Sequence, residues 1–176
     1  MRLARSLSSA AAGLLAAIAA AQVARTPPPE VEFRPGEPLA QPLPYSHKTH
    51  LALGLNCRDC HAIADPGDFA GFPPEAKCMA CHAAMKTDSP AIRELAAAAQ
   101  AGRAIAWNRV YKLPEFVYFS HAVHHTDAGV ECEACHGEVA ARDVLFQEKA
   151  ISMHACMRCH AAAGASNDCE LCHDTH

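Results

Sequence analysis

The chain is 176 residues long and carries a formal charge of -4, which bounds it to one domain or two small modules. The acidic balance speaks against a nucleic-acid partner, for which a clustered basic face is expected. Alanine and cysteine supply much of the 51% apolar content, and large aliphatic side chains are too sparse to build a large hydrophobic core.

Residues 1–24 place Arg2 and Arg5 ahead of an alanine-rich apolar run, with Ala19 and Ala21 fitting an A-x-A cleavage site. This is the layout of a secretory signal peptide. Retention as an N-terminal membrane anchor is the alternative, although the run falls short of the roughly 20 strongly apolar residues of a comfortable bilayer span. Residues 25–44 are proline-rich, with Pro27, Pro28, Pro29, Pro35, Pro38, Pro42 and Pro44. Such density favours an extended, semi-rigid linker; an arm packed on the surface is the other reading.

Residues 45–86 open with Ser46-His47-Lys48-Thr49-His50 and contain two C-x-x-C-H motifs, Cys57/Cys60/His61 and Cys78/Cys81/His82. Three more copies follow: Cys132/Cys135/His136, Cys156/Cys159/His160 and Cys169/Cys172/His173. Two cysteines at this spacing, followed at once by histidine, form the attachment signature of a c-type haem. Each cysteine adds across a haem vinyl group, and the adjacent histidine lies under the iron as proximal ligand. Zinc sites pair C-x-x-C units in twos, whereas five is odd, and neither zinc nor a disulfide framework explains the recurring histidine. All ten cysteines fall in these motifs, so the cofactor expectation is five covalently bound haem c groups. Such haems are attached outside the cytoplasm, in agreement with an export leader.

Residues 87–119 hold a connecting helix and an aromatic segment. Ser89 fits an N-cap, Pro90 the first helical position and Gly102 the C-cap of an alanine-rich helix. Beyond it come Trp107, Tyr111, Phe116, Tyr118 and Phe119, expected to pack flat against the macrocycles. Residues 120–176 repeat the first module and add a fifth motif: Ser120-His121-Ala122-Val123-His124, a glycine and a haem motif echo residues 46–61.

Five proximal histidines leave seven of the 12 for other work. His47 and His50 share one face of a helical turn, which lets two neighbouring haems each take a distal ligand from it; His121 and His124 repeat the arrangement. The fifth distal ligand is Met153 or His154, both just ahead of Cys156, and His125 and His176 are spare. A thioether ligand would hold that haem at a higher potential than its bis-histidine neighbours. Supply meets demand, so no iron need stay open for catalysis. The expectation is an electron-transfer protein with no catalytic residues.

These H-x-x-H and C-x-x-C-H modules resemble the class III multihaem cytochromes c. Between about residues 45 and 160, the order S-H-x-x-H, G-L-x-C-x-x-C-H, P-P-x-x-x-C-M-x-C-H, W-x-R-V-x-x-L-P-x-F-V-Y-F-x-H-x-x-H, G-V-x-C-x-x-C-H-G and S-M-x-x-C-x-x-C-H is most similar to the pentahaem cytochrome subunit of alternative complex III. The resemblance implies a mainly α fold with much irregular coil, two class III-like modules and haems as the core. It also implies an extracytoplasmic, periplasmic subunit that associates with the membrane and passes electrons taken from quinol by partner subunits. Within it Met153 is favoured over His154 and His124 over His125, and His47 would serve the haem of His61 and His121 that of His136. A free periplasmic shuttle or the electron-donating subunit of a reductase is the nearest rival; a haem enzyme is the more distant one.

With cofactors in place of a side-chain core, the haem-free polypeptide is expected to be largely unfolded. Expression without haem attachment should yield a chain with little helical circular dichroism and rapid proteolysis. A protease-resistant, helical apoprotein would contradict this.

Overall fold

The computed structural model describes residues 27–174; the expected leader and His176 lie outside the described residues. These form six α-helical segments, α1 (His47–Leu51), α2 (Cys57–Cys60), α3 (Glu75–His82), α4 (Pro90–Gln100), α5 (Cys132–His136) and α6 (Met153–Ala163). A π-helical turn at Ala122–Asp127 and 3-10 turns at Val139–Ala141 and Cys169–Leu171 join them. Irregular coil fills the rest, with no strand among the described residues. No helix among them is long and apolar enough to cross a membrane.

Each C-x-x-C-H motif sits on a helical turn, because i and i+3 must share a face for two cysteines to reach one ligand. Local caps start these turns. Asn56 heads α2 with a capping box, its Oδ1 accepting from Arg58 N while Asp59 accepts from Asn56 N. Ser46 heads α1, its Oγ accepting from Thr49 N and donating to Asp143 at 2.6 Å, which ties the two halves together. Ser152 heads α6, which stops where Gly164 turns left-handed at φ 69°. Ser89 takes the N-cap place before α4, but its hydroxyl makes no capping bond. Pro90, with its fixed φ and no N–H to satisfy, is the start signal there.

The buried apolar cluster of the described residues is Leu43, Leu95, Ala98 and Ile105, with Cys78, Met79, Ile92 and Trp107 packed against it. No polar residue among the described residues is buried. Helix α4 therefore does more than connect: it is the apolar bed on which α3 and its haem motif lie. Glu75 at the start of α3 reinforces this by accepting from Ile105 N at 2.7 Å. A cluster of four residues is far too small to hold a chain of this length. The organisation must come from what the motifs bind.

The proline-rich arm lies along the second half of the chain. Gly36 N and Leu39 N donate to Gln147 O and Leu145 O, both at 2.9 Å, and Gln41 and Asn108 exchange bonds of 2.9 and 3.0 Å. Further along, the turn at residues 65–68 links the modules. The carbonyl of Gly67 accepts from both His121 N and His121 Nδ1, at 2.8 and 2.6 Å, and Ser120 Oγ donates to the carbonyl of Pro66. Gly67 has φ 68°, and a Cβ there would lie 2.6 Å from the carbonyl oxygen of Ala64.

Gly67→Ala should thus cost about 1–3 kcal/mol of stability through backbone strain, and should disturb the His121 site in particular. Chemical denaturation together with the electron paramagnetic resonance spectrum of the holoprotein checks both. An unchanged midpoint and spectrum would show that the turn can move freely.

Candidate metal centre

Four pairs of imidazoles face each other at nearly one separation. His47 and His61 have ring centres 6.5 Å apart with planes 4° from parallel; His121 and His136 repeat this at 6.3 Å and 6°. His50 and His82 stand at 6.3 Å and 58°, and His124 and His160 at 6.0 Å and 27°. Metal–nitrogen bonds of about 2 Å on opposite sides of one ion put two imidazole centres about 6 Å apart. In each pair one histidine comes from an H-x-x-H turn and the other from a C-x-x-C-H motif.

Ring tautomers suit this use. The Nδ1–H of His50 donates to Ser46 O, of His61 to Gly71 O, of His124 to Ser120 O, each at 2.7 Å. His82 donates to Met85 O at 3.2 Å and His160 to Ser166 O at 2.8 Å. A histidine whose Nδ1 donates to a carbonyl keeps its lone pair on Nε2, oriented for a metal. The Nδ1 of His47 is buried without a hydrogen-bond partner. Burial first, then the neighbouring His61 and His50, push His47 down to about 4, so its ring is neutral near pH 7. His136 is lowered as well, by burial and then by His121 and His61.

Aromatic rings brace the histidines of the two H-x-x-H turns. Tyr45 stacks on His50 at 4.4 Å and meets His47 edge-on at 4.8 Å. Phe119 does the same in the second module, stacked on His124 at 4.6 Å and edge-on to His121 at 4.8 Å. Both precede the serine of S-H-x-x-H, so the repeated unit is longer by one aromatic position, and alignment of the two modules one residue further upstream reveals it. Tyr111 packs edge-on to His136 at 4.7 Å while its hydroxyl donates to His136 O and accepts from Glu148 N. Phe116 and Tyr118 of the same aromatic segment are exposed instead.

The attachment cysteines differ in how far the polypeptide covers them. Cys57, Cys60, Cys78, Cys132, Cys169 and Cys172 are half-buried, whereas Cys81, Cys135, Cys156 and Cys159 are exposed. Cys81 is one of the four exposed cysteines. Its motif partner Cys78 packs against the apolar cluster under α4, and burial pushes the Cys78 thiol up. Cys81 stands one turn later on α3 and faces solvent. The apolar bed thus receives one cysteine of the second motif and leaves Cys81 outside it, because α3 is covered by α4 on one side alone. The Cys135 and Cys156 thiols are raised by burial first and next by a cysteine of another motif, Cys159 and Cys172 respectively.

The fifth motif is built differently. Cys169, Cys172 and His173 lie on and just after a 3-10 turn, and no imidazole among the described residues faces His173 as in the four pairs. Met153 is the first residue of α6 and 55% exposed. His154 beside it donates from Nδ1 to the carbonyl of Pro28. Its Nε2 is buried without a hydrogen-bond partner, 3.9 Å from Glu30. His125 donates from Nδ1 to Val130 O at 3.0 Å and lines a 180 Å³ cleft with Asn56, Cys57, Arg58, Glu131 and Cys132.

Two-histidine sets are incomplete as protein-only metal sites. No group of three or more His, Cys, Asp or Glu gathers as a ligand shell among the described residues. The pairs fit a metal whose remaining ligands come from a planar macrocycle, and the thiols one helical turn apart beside each proximal histidine fit its covalent attachment. The cysteines are thiols rather than disulfides, as that attachment requires.

No family model matches the chain. It is 31% identical over 160 residues to the multihaem cytochrome c subunit of menaquinone reductase from Nitratidesulfovibrio vulgaris, a match spanning 76% of each chain. That relative carries the resemblance as far as a multihaem cytochrome c of a quinone-linked complex, without singling out the alternative complex III subunit. With its helical and irregular fold, strandless among the described residues, its facing histidines and its C-x-x-C-H turns, the chain belongs to the multihaem cytochromes c, electron-transfer proteins that hold their haems covalently.

Proposed function

We propose that the chain is an extracytoplasmic pentahaem cytochrome c that carries electrons as a subunit of a membrane quinone oxidoreductase. The four facing histidine pairs carry this reading, because an iron closed on both faces by protein passes electrons and offers no place for a substrate. Bound haem supplies one-electron Fe(III)/Fe(II) cycling. The chain's part is to fix ligands, orient them and exclude water. His61, His82, His136, His160 and His173 are the proximal ligands, opposed in that order by His47, His50, His121, His124 and Met153. Cys78 and Cys81 together attach the second haem, Cys81 from the solvent side of α3.

Met153 is preferred to His154 on the resemblance to the alternative complex III subunit; His154, whose Nδ1 donates to the carbonyl of Pro28 and whose Nε2 is buried without a hydrogen-bond partner, is the alternative. The quinol-oxidising direction follows from the resemblance to alternative complex III. The quinone-reducing direction is favoured by the name of the N. vulgaris relative, a subunit of menaquinone reductase. Both use the same chain in the same way.

Met153→His should abolish the sulfur-to-iron charge-transfer band and lower one midpoint potential by on the order of 0.1 V, a fraction of the roughly 0.8 V that axial ligands command. His154→Ala should leave both unchanged. The opposite pattern would make His154 the ligand. Mild detergent extraction through a C-terminal tag should bring down polytopic quinone-binding subunits with the cytochrome; recovery of the cytochrome alone from the soluble extracytoplasmic fraction would replace the complex with a free shuttle.

A further inference from the structure

The four histidine pairs leave open how the sites follow one another. Contacts between the motifs answer that. Sites one and two, numbered by motif along the chain, share the α1 turn: His47 serves one and His50 the other, with the Tyr45 ring against both. Sites one and three meet across the cleft that both Cys57 and Cys132 line.

Sites three and four share the second H-x-x-H turn, with Phe119 between His121 and His124. Site five follows site four on a short loop that is tied back to α6: His160 Nδ1–H donates to Ser166 O at 2.8 Å, and Asn167 Nδ2 donates to Met157 O at 3.0 Å.

From these four junctions we infer that the haem sites form one series in the order Cys78, Cys57, Cys132, Cys156, Cys169, with the first two motifs traversed against chain order. The inference rests on the five-haem reading above. Its mechanical basis is the duplicated turn. An H-x-x-H turn spans two sites, so each module contributes a coupled pair, and the Cys57–Cys132 junction splices the pairs through their first members. The second motif is thereby turned outward, in keeping with the exposure of Cys81, and the fifth is appended at the far end. Each hop moves one electron, oxidising one site and reducing the next, with no proton or group transferred. The Cys78 and Cys169 sites stand at opposite ends of the series, where one-electron redox centres of partner proteins exchange with it. The site at Cys132 is its middle.

Iron anomalous scattering from crystals of the full-length holoprotein tests the order, because each iron is assigned to its motif by its thioether bonds. The Cys78 iron should have the Cys57 iron as its nearest neighbour, and the Cys169 iron that of Cys156. The Cys132 iron should be flanked by those of Cys57 and Cys156. A Cys78 iron nearest to any other site, or a Cys132 iron remote from Cys57, overturns the series. Intact-protein mass counts the haems separately. Fewer than five would sink the five-haem reading, and the positions of the remaining irons would still uphold or refute the order.

Discussion

The structure depends on pairs of imidazoles held about 6 Å apart, the spacing that one metal ion between them requires. Each pair joins a short helical turn to a motif elsewhere in the chain, so a metal held between them would do the work that side-chain packing does in an ordinary domain. The buried apolar cluster of the described residues contains only Leu43, Leu95, Ala98 and Ile105. Outside it the backbone runs as short helices, turns and coil, a form stable only when cross-links or ligands replace core burial.

Placing the ligands demands support of two kinds. Backbone carbonyls take the Nδ1–H of most axial histidines and so fix both tautomer and ring direction. A carbonyl in a turn can also come from the other module, as Gly67 does for His121. The second support is aromatic. Tyr45 and Phe119 each touch both distal histidines of their turn, so one rigid ring sets two ligand planes. Tyr45 is held neutral, its hydroxyl raised to about 12 by burial and then by Cys60 and Cys78. The phenol therefore brings no charge to the two sites it braces.

The N-terminal arm is a further structural member. It pairs with residues 145–147, exchanges hydrogen bonds with Asn108 and covers His154 through Pro28 and Glu30. Glu30 also reaches Arg158 at 3.7 Å. A proline-rich segment suits this role because it is already extended and loses little entropy on docking. Those same prolines read as a linker in the sequence, since composition reports stiffness and says nothing of what lies alongside.

Chemistry was written in the sequence because covalent attachment demands a local pattern. Two cysteines and a histidine within five residues must be contiguous, and the two H-x-x-H turns had to be helical to aim two ligands in related directions. The helix at Pro90–Gln100 was legible from its proline start and alanine run; its role as the bed of α3 was not, because packing partners are non-local. For the same reason spacing treats Cys78 and Cys81 alike, and only the position of α4 separates a packed thiol from an exposed one. Gly67, Tyr111 and the bracing contacts of Tyr45 and Phe119 depend on residues tens of positions away or on three-dimensional stacking. The choice of partner across each gap between rings likewise belongs to tertiary structure. Spacing alone offers several distal histidines to each proximal one. The folded chain brings one into line with His61, His82, His136 and His160, because ligand distance and ring orientation are properties of space rather than of order along the chain.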